Sequence, residues 1–218
     1  MINRNIKRIY NDIKKIEESK FDDIFIHYDE ADMQKIKALI IGPKDSAFAG
    51  GFFYFSLDFT NFPINPPKVK FLTPHTSTFR CHPNLYACGK VCLSILNTWG
   101  SKEWSPLLEI DKILITIQAL LDNNPIANEP GFEKNKPNSH QAADYSIMSR
   151  YLMMKSCPIM LTRQDIPAKF ITIMKNYISQ NKELYESLFA ILDNYKDSRI
   201  KTIHGNYTIK DYQFNLNN

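Results

Sequence analysis

The stretch GGFFYFSLDFTNFPINPPKVKFLTP, residues 50–74, carries the clearest structural signal in the chain. Apolar residues occupy alternate positions in its first half: Phe53, Phe55, Leu57 and Phe59. Such alternation is typical of a strand with one strongly apolar face. The glycines before this run and the prolines after it are turn signals, and residues 67–74 form a second β-rich run. The stretch therefore predicts two neighbouring strands joined by a proline-rich loop.

Periodic apolar residues on both sides extend this pattern. The run MQKIKALIIGP, residues 33–43, is a third β-rich segment, so the three runs predict a β-meander with one face covered by helices. Isoleucines recur at helical spacing near the beginning of the chain, which predicts an amphipathic first helix: Ile2, Ile6, Ile9, Ile13 and Ile16. The same spacing predicts a second helix over about residues 107–122. Residues 138–197 return to helical patterning, with CPIML and DIP as expected breaks.

Length and composition restrict the classes of function. The 218 residues suffice for one domain with an appendage, and the formal net charge of +4 is spread along the chain. Nucleic-acid binding would require a concentrated basic patch, so we do not expect it. No run approaches the roughly 18 apolar residues of a membrane span, and the first residues do not read as a secretory signal. We therefore expect an intracellular protein, cytoplasmic or nuclear, without a membrane span.

The segment CHPNLYACGKVCLSIL, residues 81–96, holds three of the four cysteines. A zinc site, small buried residues and one nucleophilic thiol are the competing interpretations. Structural zinc sites prefer paired ligands such as Cys-x2-Cys, whereas Cys81, Cys88 and Cys92 stand seven and four residues apart. Free cysteine is also among the most buried residue types, so each thiol taken alone favours packing.

Short motifs in order along the chain decide between these interpretations. They are KRIYNDI at 7–13, GPKDSAFAGG at 42–51, FPINPPKVKFLTP at 62–74, HPN at 82–84, GKVCLSIL at 89–96, WSP at 104–106 and LLEIDKILITIQALL at 107–121. Together they resemble the ubiquitin-conjugating enzymes. The long segment between Cys92 and WSP and the sequence NPIANEPGFE at 124–133 are similar to one subgroup. It contains the giant inhibitor-of-apoptosis conjugating enzyme and the enzyme served by the alternative ubiquitin-activating enzyme.

The resemblance implies a transferase of the aminoacyltransferase class whose acceptor is Cys92, eight residues after Asn84 as in the family. Ubiquitin or a similar modifier would arrive as a thioester and then pass to a substrate lysine or to a ligase, and a thiol is well suited to both steps. Asn84 would donate its amide to the thioester oxygen or hold the adjacent loop. His82 and Pro83 would be structural parts of the motif. No cofactor and no metal are implied, because the activating enzyme uses the ATP.

Other roles carry over by position. Glu129, with Asn128 beside it, would orient the incoming lysine, although a solvated loop carboxylate is an equal alternative. Ser94 stands where the family often has aspartate, and Cys81 stands where it often has tyrosine. The resemblance therefore does not determine how these two positions affect the reactivity of the lysine. The partner surfaces follow in the same way, and they are the ligase-binding residues Ile64, Ser105, Pro106 and Leu107, the activating-enzyme-binding residues Lys7 and Arg8, and the donor-ubiquitin contact Ile115.

We therefore expect an α+β chain with the UBC-like fold: an N-terminal helix, a four-stranded antiparallel meander, a central helix and a C-terminal helical extension. Residues 1–137 would form the conjugating core and 138–218 the extension, packed on the core or following it. The partners would be the modifier, an activating enzyme, ubiquitin ligases and substrate lysines. Two alternatives remain: a non-catalytic scaffold of the same fold that binds ubiquitin or a ligase, and a zinc-binding domain using Cys81, His82, Cys88 and Cys92.

Overall fold

The structure is a computed structural model that describes residues 4–74, 80–101 and 103–210. Its first half comprises helix α1 (Arg4–Ser19), strands β1 (Ile24–Asp29), β2 (Asp32–Ile41), β3 (Phe52–Asp58) and β4 (Lys68–Phe71), and helix α2 (Ile110–Ala119). The second half comprises helices α3 (His140–Thr162), α4 (Ala168–Gln180) and α5 (Lys182–Asp193), then strands β5 (Arg199–Thr202) and β6 (Gly205–Thr208). Short 3₁₀ helices lie at Ser94–Leu96 and Pro125–Asn128. The expected α+β fold is confirmed.

Strands β1 to β4 form one antiparallel sheet in chain order, which is the expected meander. Ile24 pairs with Ile40 in β1 and β2, and Leu57 pairs with Val69 in β3 and β4. The residue pattern alone picks out only three of these strands. The fourth is β1, whose sequence IFIHYD is short and ends in polar residues, so its alternation is weak. Tyr54, between two of the alternating apolar residues of β3, is also fully buried.

The first two helices pack on each other through buried isoleucines. Ile9, Ile13 and Ile16 form the buried face of α1, as their spacing predicts, whereas Ile2 lies outside the described residues. Helix α2 begins at residue 110 rather than 107. The Ile110 N–H donates to the Asp12 carboxylate at 3.3 Å, which caps the helix from a distance. Burial raises the pKa of Asp12, while the Arg8 guanidinium and the Ile110 N–H oppose that rise.

Helix α3 corrects the prediction for residues 138–197. The CPIML segment is not a break, because α3 runs to Thr162 with Pro158 inside it. Proline removes one helical hydrogen bond, but this helix is buried along most of its length, and such packing offsets a cost of about 3 kcal/mol. The DIP segment does separate α3 from α4. The β5–β6 hairpin was not predicted, since its four-residue strands carry little apolar signal.

The chain divides into two compact units that interleave along the sequence. The first unit contains residues 1–40, 53–72 and 84–120, and the second contains 41–52, 73–83 and 121–218. Within the second unit, the Tyr185 hydroxyl of α5 donates to the Gly50 carbonyl at 2.8 Å. The Ser149 hydroxyl of α3 donates to the Cys81 carbonyl at 2.7 Å. The C-terminal helices thus belong to the same compact body as two segments from the first half of the chain. The predicted boundary at residue 137 remains a prediction.

Candidate active site

A short hairpin presents Cys92. Leu85 pairs with Val91, and the Tyr86 N–H donates to the Lys90 carbonyl at 3.0 Å. The turn is closed at Gly89, whose φ of 88° suits glycine and whose missing Cβ leaves space for the Phe71 carbonyl. Pairing of 85 with 91 places residues 84 and 92 opposite each other at the base of the hairpin. The offset of eight residues is therefore a consequence of local hairpin geometry.

Asn84 and Cys92 are joined by two hydrogen bonds. The Cys92 N–H donates to the Asn84 carbonyl at 2.9 Å, and the Asn84 side-chain amide donates to the Cys92 carbonyl at 2.7 Å. We call this pair the clasp. Before any modifier is attached, the side-chain amide of Asn84 therefore holds the backbone of Cys92. A thioester formed on this sulfur would lie on the residue that the amide already contacts, and an amide donor there can stabilise developing oxyanion charge.

Thr98 supports the same segment from the other side. Its hydroxyl accepts from the Leu93 N–H at 2.9 Å and donates to the Val91 carbonyl at 2.7 Å, so both neighbours of Cys92 are bound to one side chain. The sequence analysis did not find Thr98, because no motif or period marks it. Cys92 itself is buried, with 1% of its surface exposed. Reaction with a protein-sized thioester therefore requires the atoms covering the thiol to move.

Ser94 begins the 3₁₀ helix after Cys92 and contacts a carboxylate. Its hydroxyl donates to Glu103 at 2.6 Å, and the Ser101 hydroxyl donates to the other oxygen of Glu103 at 2.8 Å. These two hydrogen bonds lower the pKa of Glu103, which therefore carries its negative charge at neutral pH. Glu103 was also missed, although it lies in the long segment between Cys92 and WSP that the sequence analysis singled out.

Two exposed apolar side chains mark the predicted ligase-binding loops. Ile64 and Leu107 are 77% and 82% exposed, and Ser105 and Pro106 are exposed beside Leu107. The Trp104 indole N–H donates to the Pro63 carbonyl at 2.9 Å, which joins the two loops. Exposed large apolar residues on rigid loops are typical of interaction surfaces. The ligase role of these residues remains a prediction.

Arg8 is largely engaged within its own unit. Its guanidinium donates to the carbonyls of Pro106 at 3.2 Å and Leu107 at 3.1 Å, and it lies 5.6 Å from the centre of the Phe62 ring. Arg8 thus fixes the loop that ends at α2, whereas Lys7 is exposed on the neighbouring turn of α1. Ile115 of α2 is half-buried. The structure does not test the activating-enzyme and donor-ubiquitin roles of these residues.

In the second unit, Glu129 is paired with Arg80. The guanidinium contacts both carboxylate oxygens at 3.2 and 3.3 Å and also donates to the Pro83 carbonyl at 3.0 Å. The two side chains are only 21% and 18% exposed. Asn128 donates to the Pro125 carbonyl at 3.4 Å within its own 3₁₀ turn. The interaction of Glu129 is therefore with a cation, which partly offsets its charge, and its predicted role toward lysine remains a prediction.

The remaining cysteines differ sharply in environment. Cys81 and Cys157 are completely buried, and burial raises the pKa of each thiol to about 12, whereas Cys88 is exposed. His82 is also fully buried and packs against the Phe48 ring with centroids 5.7 Å apart, which suits the structural role expected for it. Within residues 4–74, 80–101 and 103–210, no group of His, Cys, Asp and Glu side chains is arranged to hold a metal ion.

No helix among these described residues has the length and apolar character needed to cross a membrane.

Comparison with known proteins agrees with the motifs. The family model described as Ubiquitin-conjugating enzyme matches residues 8–150. The chain is 36% identical over 189 residues to ubiquitin-conjugating enzyme E2 Z of Xenopus tropicalis, covering 85% of this chain and 60% of that protein. It is 38% identical over 181 residues to E2 Z of Homo sapiens, covering 82% and 51%. The chain thus spans between half and three fifths of the length of these relatives.

A second type of relative also matches. The dual E2 ubiquitin-conjugating enzyme/E3 ubiquitin-protein ligase BIRC6 of Mus musculus is 34% identical over 175 residues, covering 76% of this chain and 4% of that protein. The expected resemblance to the subgroup with a long segment after the cysteine is confirmed by these two types of relative.

Proposed function

The chain belongs to the ubiquitin-conjugating enzyme family, and on that premise we propose that it accepts ubiquitin or a ubiquitin-like modifier on Cys92. In the first step the Cys92 thiolate attacks the thioester carbonyl on the activating enzyme. A new C–S bond forms, the old one breaks, and the enzyme's thiolate leaves. In the second step a lysine amine attacks the new thioester. A C–N bond forms, the Cys92 thiolate leaves, and the amine proton passes to solvent or a nearby base.

The clasp between Asn84 and Cys92 carries this proposal. It places a neutral amide donor against the residue that would bear the thioester. Before any modifier is attached, the Asn84 Nδ2 atom lies 2.7 Å from the Cys92 carbonyl oxygen. Attack by an amine builds negative charge on the thioester oxygen, and an aligned amide can stabilise that charge. To reach the thioester oxygen, the amide would use its second N–H or turn away from the Cys92 carbonyl.

The proposal extends to the remaining residues that the sequence assigned. His82 and Pro83 have a structural role and fix the backbone that leads to Asn84. Glu129, with Asn128, contributes to orienting the incoming lysine, and its ion pair with Arg80 weakens that contribution. Ile64, Ser105, Pro106 and Leu107 offer an exposed surface to a ubiquitin ligase.

The remaining partner contacts are proposed in the same way. Lys7 and Arg8 contribute to activating-enzyme binding, Ile115 contacts the donor modifier, and the protein acts in the cytoplasm or nucleus. No cofactor is used by this chain, since ATP is consumed by the activating enzyme.

A non-catalytic scaffold is the second candidate, and one observation favours it. Cys92 is 1% exposed, which would hinder attack on a bulky thioester unless the local structure opens. Reaction with a small alkylating reagent cannot decide between the two functions, because a scaffold could open as well. Formation of a thioester with a protein modifier does decide between them.

A charging assay tests the proposal directly. Full-length protein is incubated with an activating enzyme, ATP and ubiquitin, with each of the two main activating-enzyme classes, and is analysed on a non-reducing gel. We expect an adduct that reductant removes, that Cys92→Ser abolishes or converts to a reductant-resistant ester, and that Cys88→Ser and Cys81→Ser retain. Loss of the adduct in Cys88→Ser with retention in Cys92→Ser would contradict the assignment. Absence of any adduct with both activating enzymes would favour the scaffold.

A further inference from the structure

A second carboxylate, Glu103, is fixed close to the Cys92 segment. Its two oxygens accept hydrogen bonds from the Ser94 hydroxyl at 2.6 Å and the Ser101 hydroxyl at 2.8 Å. Its backbone N–H also donates to the Ser94 carbonyl at 3.3 Å. Three hydrogen bonds thus tie this exposed residue to its neighbours, and two of them go to the residue that stands two positions after Cys92.

The distance to the nucleophile is limited by chain geometry. Two residues of extended chain span at most about 7 Å, so the Cα of Ser94 lies within about that distance of the Cα of Cys92. The hydrogen bond from Ser94 then brings the Glu103 carboxylate within roughly 12 Å of Cys92. Since the screening length at physiological salt is roughly 8 Å, the charge acts mainly on a cation that comes close to Glu103 itself. A lysine side chain on its way to Cys92 can do so, because the carboxylate lies within this limit of the nucleophile.

The partners of Glu103 leave its charge available. Serine hydroxyls are neutral donors, so they stabilise the carboxylate without cancelling it, and their hydrogen bonds lower the pKa of Glu103. Within the part of the chain that the structure describes, the contacts recorded for this carboxylate are these two hydroxyls. Glu103 is exposed, so a substrate can reach it.

We propose that Glu103 is a positioning residue for the lysine that attacks the Cys92 thioester. Its fixed carboxylate attracts the ammonium form of the incoming lysine and raises the local concentration of that side chain. The ammonium loses one proton to solvent before attack, and the neutral amine that remains then reacts as written above. This inference rests on the proposed function, and it assigns to the segment between Cys92 and Trp104 a part in selecting a cationic acceptor.

The test separates discharge from charging. Full-length protein is charged with ubiquitin, the activating enzyme is then inactivated, and the thioester is discharged by free lysine over a range of concentrations. We expect Glu103→Gln to charge normally and to raise the apparent KM for lysine by about twofold to fivefold, with little change in kcat, as expected for an exposed and screened charge pair. With hydroxylamine, which is uncharged at neutral pH, Glu103→Gln and the unchanged protein should react equally.

Two further variants make the test specific to charge near Cys92. Glu133→Gln is the matched control, because it neutralises another carboxylate whose pKa is lowered by hydrogen bonding, here from the Gly131 N–H at 2.9 Å, and it should not change discharge. The double variant Ser94→Asp with Glu103→Gln returns a carboxylate to the same place and should restore the lysine KM at least in part.

The outcomes are distinguishable. Equal lysine discharge by Glu103→Gln and the unchanged protein would overturn the inference while leaving the proposed function intact. An equal loss with lysine and hydroxylamine would also overturn it, since that pattern indicates a structural disturbance. If the unchanged protein forms no thioester, the proposed function fails and this inference fails with it.

Discussion

Two regions of the molecule hold a carboxylate in contrasting ways. The Cys92 region, residues 84–104, holds the exposed Glu103 with two neutral serine hydroxyls. The Glu129 region, residues 80–83 and 125–133, holds Glu129 against the guanidinium of Arg80, with both side chains about four fifths buried. The partner of a carboxylate, rather than its presence in a motif, thus decides how much negative charge it can offer to a cationic substrate.

The backbone of the two regions is held differently as well. Next to Cys92 the side-chain contacts are local, since Asn84 and Thr98 bind residues at most eight positions away. In the Glu129 region they come from distant sequence, because Arg80 reaches Glu129 and the Tyr145 hydroxyl of α3 donates to the Arg80 carbonyl. Breaking the bonds of Asn84 and Thr98 separates only nearby residues, whereas opening the Glu129 region would break its contact with α3.

The largest expected difference between the regions is in cysteine reactivity. Cys88 in the Cys92 region is exposed, whereas Cys81 in the Glu129 region is completely buried with its pKa raised from 9.0 to about 12. With a pKa of about 12, the Cys81 thiol is almost entirely protonated near pH 8, and its burial also blocks access of the reagent. We therefore expect iodoacetamide to alkylate Cys88 at least about a thousandfold faster than Cys81 in native protein.

Site-resolved mass spectrometry of a labelling time course measures these rates, with Cys88→Ser as the control for peptide assignment. Comparable native rates at Cys81 and Cys88 would show that the Glu129 region opens readily and would remove this distinction between the regions. The rate at buried Cys92 in the same experiment reports how often the Cys92 region opens.

The second prediction concerns the clasp. Asn84→Ala removes the amide that donates to the Cys92 carbonyl, and we expect lysine discharge to fall by about a hundredfold to a thousandfold, because an oxyanion donor is lost. Thr98→Val is the matched control. It removes the hydroxyl bonds to Val91 and Leu93 but leaves the amide in place, so we expect a decrease of less than about tenfold.

Discharge rates measured on preformed thioester decide the role of Asn84. If the two variants lose activity equally, Asn84 acts by holding the loop, as Thr98 does, and the oxyanion role is wrong. Charging should be retained by both variants, which separates discharge from formation of the thioester.

The smallest expected effect on chemistry is at Glu129. Arg80 offsets its charge, so Glu129→Gln should slow lysine discharge less than Glu103→Gln does. The same change weakens a largely buried ion pair and so lowers the free energy of unfolding. The expected decrease lies between the small effect of losing a surface pair and the roughly 3–5 kcal/mol of breaking a fully buried one. A loss of roughly 1–3 kcal/mol corresponds to a lower Tm by about 2–10 °C in a chain of this size.

Thermal unfolding checks this, with Lys14→Met as the control. Lys14 pairs with Glu18 at 3.7 Å on the exposed side of α1, so its replacement should shift Tm by no more than about 2 °C. The opposite outcome is that Glu129→Gln slows lysine discharge as much as Glu103→Gln does, with Tm unchanged. That result would support the sequence-based prediction that Glu129 orients the incoming lysine. It would also contradict the contrast between the two carboxylates.

The local features of this protein can be read from its sequence. The alternation in residues 52–58 predicted β3, the isoleucine spacing predicted α1, and the motifs around HPN and GKVCLSIL singled out Asn84 and Cys92. The offset of eight residues between Asn84 and Cys92 is visible in the sequence because the hairpin pairs Leu85 with Val91. That pairing places the two flanking residues opposite each other. Family membership follows from the same ordered motifs.

The availability of each charge and the packing of the C-terminal helices depend on contacts between distant segments. No sequence period relates Arg80 to Glu129 across 49 residues, or Tyr185 to Gly50 across 135. Helix α3 continues through Pro158 because burial along the helix outweighs the local preference of proline. Local propensities act within a few residues and are visible in the sequence, whereas contacts between distant segments depend on the packing of the whole chain.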